Sequence, residues 1–279
     1  MNKAFLKALF TTSIVLCACN NGGQTSSDET SSESNDSTEA KLDTLHLFEE
    51  VEPPVSADEL FVDFFFNFAA DIKYQSQRIK FPLPMKDHDV QLDITRDDWH
   101  RFNRFKAQEF YSVIYERESD LELQNDTSLS NVSVQWIDLK DEYIEEFNFR
   151  RINGKWMLTD IVKEDMKNSP NGSFLKFYSQ FVSDSTYQRE SIETPLKFIT
   201  QQDDPDEPTL TEELSADEWF GMQSDMPIIS DVIANIDFGQ TCISQNRKKI
   251  LVEGVSNGLC IKFKFDKIGS QWRLYEVEN

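Results

Sequence analysis

The feature that most constrains the fold is a segment that the chain spells twice. Residues 61–83 run from Phe61 to Leu83. Moved along by 113 positions, Phe61, Phe64, Phe68, Asp71, Tyr74, Gln75, Ile79, Pro82 and Leu83 fall on Phe174, Phe177, Phe181, Asp184, Tyr187, Gln188, Ile192, Pro195 and Leu196. That is nine identities in 23 positions without a gap. A second match follows: Thr95-Arg96-Asp97-Asp98 before Trp99 reappears as Ser215-Ala216-Asp217-Glu218 before Trp219, at an offset of 120. A third closes each copy, where Phe147, Phe149, Ile152, Trp156 and Leu158 become Phe263, Phe265, Ile268, Trp272 and Leu274, at an offset of 116. Three blocks in the same order mean a duplication. The 279 residues therefore divide into two units of ordinary domain size.

Each unit opens on an amphipathic helix. Phe61, Phe64, Phe65, Phe68 and Ile72 lie at i, i+3, i+4, i+7 and i+11, which is one apolar face. Ser56-Ala57-Asp58-Glu59 ahead of it has the form of a capping box, and the pattern fades between Tyr74 and Arg78. Ile79 to Leu83 reads as a short extended piece that Pro82 confines to an edge or a strand end. A short helix follows Thr95. Strands are then expected over 110–115, 131–139, 143–152 and 155–162, with Asn153-Gly154 as a type I′ hairpin turn. Lys167 to Gly172 is polar and turn-rich and joins the copies.

The N-terminus reads as an address. Lys3 and Lys7 precede a short apolar run that ends in Leu16-Cys17-Ala18-Cys19. The run is too short to span a bilayer, which takes about 20 apolar residues. The four residues resemble the bacterial lipobox, which implies a signal peptide over 1–18 and lipidation of Cys19. Several acyl chains on one residue meet the two-anchor condition for stable membrane attachment. The region 19–54 is acidic and has no apolar residue from Asn20 to Glu39, so it reads as a disordered tether. Asp36-Ser37-Thr38 and Asp43-Thr44-Leu45 resemble the Bacteroidetes O-glycosylation motif, with Ser37 and Thr44 as acceptors. Asn20 rather than Asp after the lipidated cysteine resembles outer-membrane sorting, with the membrane face left open.

A long helix, a short helix and a run of antiparallel strands closing on Gly154-Lys155-Trp156-Met157-Leu158 resemble the cystatin-like α+β cone of nuclear transport factor 2-like and ketosteroid-isomerase-like domains. The chain resembles a Bacteroidetes lipoprotein family with two such domains in tandem. The resemblance implies a first cone over 55–166 and a second over 171–279. It implies no activity, because this fold carries enzymes, binding modules and scaffolds alike.

Candidate chemistry is sparse. Asp71 and Gln75 continue the stripe of Phe64 and Phe68, with Tyr74 beside them, and Asp184, Tyr187 and Gln188 repeat the set. A carboxylate and a phenol facing into a cone are the ingredients of ketosteroid isomerase. Equally, polar residues kept in both copies can serve the fold. Trp99 and Trp219 either plug the cone mouths or form aromatic platforms at a pocket. The three histidines lack ligand spacing, so no metal and no cofactor is expected. The Asp203–Glu207 loop lacks the mid-loop Gly of a calcium site. With 50 acidic against 28 basic residues, nucleic acid is excluded as a partner. Cys242 and Cys260 in an oxidising compartment raise a disulfide worth roughly 3 kcal/mol, unless they sit on non-adjacent strands. The reading is a non-enzymatic binding or scaffold lipoprotein of the cell envelope. Its partners would be the membrane, through its lipid, and an envelope protein or glycan. The alternative is a small-ligand carrier or an isomerase-like enzyme using one cone interior.

Overall fold

The computed structural model describes residues 58–102, 105–202, 208–223 and 231–279. The expected signal peptide and tether, with Cys19, Ser37 and Thr44, and the acidic segment 203–207 lie outside the described residues. No helix among the described residues is long and apolar enough to cross a membrane.

Each copy opens on a broken helix. The first comprises α1 (Phe61–Ala70) and α2 (Ile72–Gln77). Phe61, Phe64, Phe65 and Phe68 are buried, as their spacing requires. The stripe does not continue through Asp71. That residue is extended (φ −126°, ψ 110°), and its carboxylate accepts the Lys73 N–H at 2.8 Å as the N-cap of α2. In the second copy, α4 (Gly172–Ser183) and α5 (Ser185–Glu190) break the same way at Asp184, which accepts from Thr186 N and Tyr187 N. The two aspartates were expected to face inward. They are exposed, because the break resets the helical phase just before them. Asp58 also departs from its expected place in a first helical turn. α1 starts only at Phe61, and Asp58 is instead buried against Arg78, with two contacts of 2.8 and 2.9 Å. Gly172 fits a tight approach: a Cβ there would lie 2.8 Å from the Met166 carbonyl oxygen.

The first copy continues through β1 (Leu83–Asp87), β2 (Val90–Ile94), α3 (Arg96–Phe102), β3 (Phe110–Tyr115), β4 (Asn131–Asp138), β5 (Tyr143–Ile152) and β6 (Lys155–Asp165). The second runs through β7 (Ile192–Thr200), β8 (Leu210–Leu214), α6 (Ala216–Met222), β9 (Val232–Asp237), β10 (Arg247–Gly254), β11 (Cys260–Ile268) and β12 (Gln271–Glu278). Thr95 and Ser215 cap α3 and α6 as their sequences predict. Asn153 and Gly154 take positive φ at the β5–β6 turn. The β1–β2 hairpin is an addition to the strands expected from the sequence. Bulges fall at the equivalent positions Asn148/Phe149 and Lys264/Phe265.

All twelve strands form one sheet, in the order β2-β1-β6-β5-β4-β9-β3-β10-β11-β12-β7-β8. Under the duplication this order is a palindrome, and its centre shows an exchange. β4 of the first copy pairs with β9 of the second, and β10 of the second pairs with β3 of the first. The two exchanged strands meet in parallel at Ser112 and Asn235. The boundaries 55–166 and 171–279 therefore separate the sequence repeats but not the sheet, and residues 52–279 form one compact unit.

The two cores lie on opposite faces of the central strands. Tyr111, Val113 and Tyr115 of β3 join the cluster around α1, while Ile114 between them joins the cluster around α4. β9 does the converse, sending Ala234 and Ile236 to the first core and Ile233 to the second. Strands covered on both sides carry near-continuous apolar runs, which accounts for the FYSVIY and VIAN stretches.

Cys242 and Cys260 are free thiols. Cys242 precedes β10, whereas Cys260 pairs with Glu253 at its far end. An eight-residue strand separates the two, about 20 Å at its rise per residue, against the 7 Å that a bridge tolerates.

Candidate functional site

The interior of the first copy is packed solid. Phe61, Phe64, Phe65, Phe68, Phe105, Phe147, Phe149, Trp99 and Trp156 are all at most 2% exposed. Gln75, buried among them, accepts the Trp99 indole N–H at 2.9 Å, which gives both residues a structural role. Tyr74 packs under the Arg78 guanidinium, 4.9 Å from its ring centre. Its hydroxyl has no hydrogen-bond partner among the described residues. In the second copy Gln188 and Trp219 are likewise buried, but the Trp219 indole N–H has no hydrogen-bond partner among the described residues. Tyr187 meets Phe177 with its ring tilted by 54°, 6.1 Å between ring centres. The structure thus brings Gln75 and Trp99 together, and leaves Asp71 and Asp184 at helix caps away from any interior pocket. A void of about 110 Å³ lies under α4, beside Tyr178, Phe110 and Ile233.

A polar constellation lies elsewhere, on the first copy's sheet face opposite α1. Two rows cross the strands there. One runs Asp237 (β9), Ser133 (β4), Asn148 (β5) and Asp160 (β6); the next runs Asn235, Gln135 and Glu146. A hydrogen-bond chain follows the second row. The Ile114 N–H donates to Asn235 Oδ1 (2.8 Å), Asn235 Nδ2 to Gln135 Oε1 (3.0 Å), and Gln135 Nε2 to Glu146 Oε2 (2.8 Å). The chain starts on an exchanged strand and ends at a carboxylate. Beside it lies an open depression of about 310 Å³ lined by Asn131, Ser133, Glu146, Asn148, Arg150 and Asp237.

The electrostatics of this depression are unbalanced. Burial pushes the Glu146 carboxyl above the ordinary carboxylate range; the Gln135 amide opposes this, and the Asp237 carboxylate adds to it. Burial likewise raises Asp237, against the pull of the Gly239 N–H. Neither acid forms an ion pair among the described residues, and Arg150 reaches only Asp160, at 3.8 Å. No group of three or more metal-binding side chains occurs among the described residues.

The second copy shows the same face with its charges paired. At the offset of 116, Glu146 and Asn148 correspond to Lys262 and Lys264, and Asp160 corresponds to Glu276. Lys264 bonds both Glu276 and Glu278, Lys197 bonds Glu276, and Lys262 bonds Glu278. Burial alone would raise these two glutamates, but the lysines outweigh it and hold both below their ordinary range. A larger groove beside Ile243 and Ile268 carries charges that already pair with one another, Arg117 with Asp120 and Arg247 with Asp266.

Sequence reasoning missed Glu146, Asn148 and Asp237, because alternating polar residues on a strand read as a solvated face. A signal was present: the two copies carry opposite charge at Glu146 and Lys262.

The architecture is a mixed α+β fold with few helices and one large curved sheet, of the NTF2-like class. A crystal structure of an NTF2-like protein from Bacteroides fragilis is 34% identical to this chain. The match covers 81% of this chain and 98% of that one, at a TM-score of 0.72. The chain belongs to the family described as a domain of unknown function (DUF4348), which matches residues 40–279. No curated protein sequence matches it.

Proposed function

We propose that the protein is a membrane-anchored lipoprotein of the bacterial envelope that acts as a binding or scaffold module. The anchor would be Cys19, after removal of 1–18, and the acidic tether 19–54 would hold two NTF2-like cones in tandem off an outer membrane. One observation carries the binding reading. The aromatic interior of the first copy is filled, whereas its outer sheet face keeps a polar depression whose acids Glu146 and Asp237 have no ion-pair partner among the described residues, unlike the lysine-paired acids of the second copy. Metabolic labelling with an alkyne fatty acid tests the anchor. Label is expected on the wild-type chain and lost in Cys19→Ala, with the protein moving from the membrane to the soluble fraction. A Cys19→Ala chain that stays at the membrane refutes lipid anchoring.

The void beside Tyr178 supports a second reading, as a small-ligand carrier. Native mass spectrometry of the purified chain decides this one. A stoichiometric small molecule lost on enlarging Ser112, which lines the void, to Leu supports the carrier.

A further inference from the structure

Resting on the binding reading, we infer that the depression on the first copy's sheet is a receptor site for a basic side chain, the ammonium or guanidinium group of a partner protein. The argument comes from the duplication. On the second copy the lysines of this face are matched to acids: Lys249 bonds Glu118 of the first copy, Lys264 bonds Glu276 and Glu278, Lys262 bonds Glu278, and Lys197 bonds Glu276. This shows what the sheet face accepts when it is filled. At equivalent positions the first copy keeps one acid, Asp160 for Glu276, and puts Glu146 and Asn148 in place of Lys262 and Lys264, while β9 adds Asp237 beside Ser133. The face therefore carries three acids and none of the second copy's lysines.

What remains is shaped for a cation from outside. Arg150 sits at the rim and is held toward Asp160, leaving Glu146 and Asp237 to the interior of the depression. Gln135 holds the Glu146 carboxylate in place through the bond chain from β3, so the acceptor is oriented before anything binds. Ser133, Asn131 and Asn148 supply neutral polar atoms around the charge. The volume, about 310 Å³, admits one long basic side chain and no folded element. The chain's net charge of −22 draws basic partners toward it at long range.

The test uses the full chain in detergent and the peptide acetyl-tetralysine-amide, followed by NMR of the Asn and Gln side-chain amides. The peptide is expected to shift Asn131, Asn148 and Gln135. It is expected to bind at least about tenfold more weakly to Glu146→Gln/Asp237→Asn, as for loss of a close charge pair. Nε-acetylation of the peptide is expected to abolish binding, and the surface variant Asp93→Asn to leave it unchanged. Melting curves check that the double variant folds. Binding that survives in the folded double variant, or with the acetylated peptide, overturns the inference. A neutral oligosaccharide that shifts the same amides while tetralysine does not would overturn the basic-ligand class and keep the binding reading. Silence with both probes overturns the inference and also removes the depression as the binding site.

Discussion

The two copies hold the same elements in the same order, yet they solve the same local problems with different chemistry. At the end of the broken helix, the first copy buries Arg78 against Asp58, with both side chains 5% exposed. The second has Ser191 in place of Arg78 and Asn171 in place of Asp58. On the sheet face, the second copy closes a lysine–glutamate ladder that the first leaves open. The contrast teaches that the duplication fixed backbone and aromatic packing, while the polar positions were free to diverge. It also separates two kinds of polar residue. Asp71 and Asp184 are kept because a helix break needs a cap. Glu146 and Lys262 differ because the fold needs neither.

The exchange of β3 and β9 makes the strongest claim about this comparison, since it denies the copies independence. If the chain is cut between Asn168 and Ser169, each fragment lacks the strand that completes its sheet. Neither fragment alone is expected to show the near-ultraviolet circular dichroism of packed aromatics, and mixing the two is expected to restore it. The intact chain should unfold in one cooperative transition. A fragment that folds and melts cooperatively by itself would break the account.

Much of this was legible in the sequence, for definite reasons. The Phe stripe, the cap residues at Thr95 and Ser215 and the Asn153-Gly154 turn are local signals, and each appears where the residues place it. The bounds of β3 follow from its apolar run, and those of β5 from the alternation of Phe147 and Phe149 up to the Asn153-Gly154 turn. The exchange was not legible. Strand pairing between Leu251 and Val113 is a long-range choice that both copies' sequences permit equally. The inward reading of Asp71 failed because helical periodicity was extended through a residue whose better use is to end the helix. The site on the sheet face was hidden because pleat alternation hides polar function among polar exposure. Only the register, bringing Asp237 of one copy beside Ser133 of the other, gathers its residues.

The buried ion pair offers the next sharpest contrast. Arg78→Ala leaves Asp58 charged and enclosed, and it is expected to cost roughly 3–5 kcal/mol in urea unfolding, the usual penalty for an uncompensated buried charge. Ser191→Ala at the equivalent place is expected to cost no more than about 1 kcal/mol. Equal losses at the two sites would show that Arg78 contributes packing rather than charge.

A smaller difference is expected at the glutamines. Gln75→Leu strands the Trp99 indole N–H in the core and is expected to cost about 1–3 kcal/mol. Gln188→Leu removes no acceptor that Trp219 uses, so it should cost less than half as much. A Gln188→Leu loss as large as that of Gln75→Leu would mean that the Trp219 indole does use Gln188 in solution.

The smallest and most discriminating effect is the dependence of stability on pH, because the two sheet faces must act in opposite directions. Glu146 and Asp237 hold their protons more tightly folded than unfolded. The folded state therefore binds more protons just above the ordinary values of 4.5 and 3.8, and stability falls as pH rises through that window. Glu276 and Glu278 release theirs more readily when folded. Their contribution is present above the ordinary 4.5 and is lost as pH falls through their lowered folded values. Unfolding midpoints between pH 3 and pH 7 are thus expected to respond oppositely to two substitutions. Glu146→Gln should raise stability at neutral pH and flatten the decline above pH 4.5, while Glu278→Gln should lower neutral stability and flatten the acid-side loss. Added tetralysine should abolish the Glu146 contribution and leave that of Glu278 untouched, since only the first copy's ladder lacks its cations. Parallel pH profiles for the two variants would mean that the faces are electrostatically alike, and the comparison between the copies would lose its chemical content.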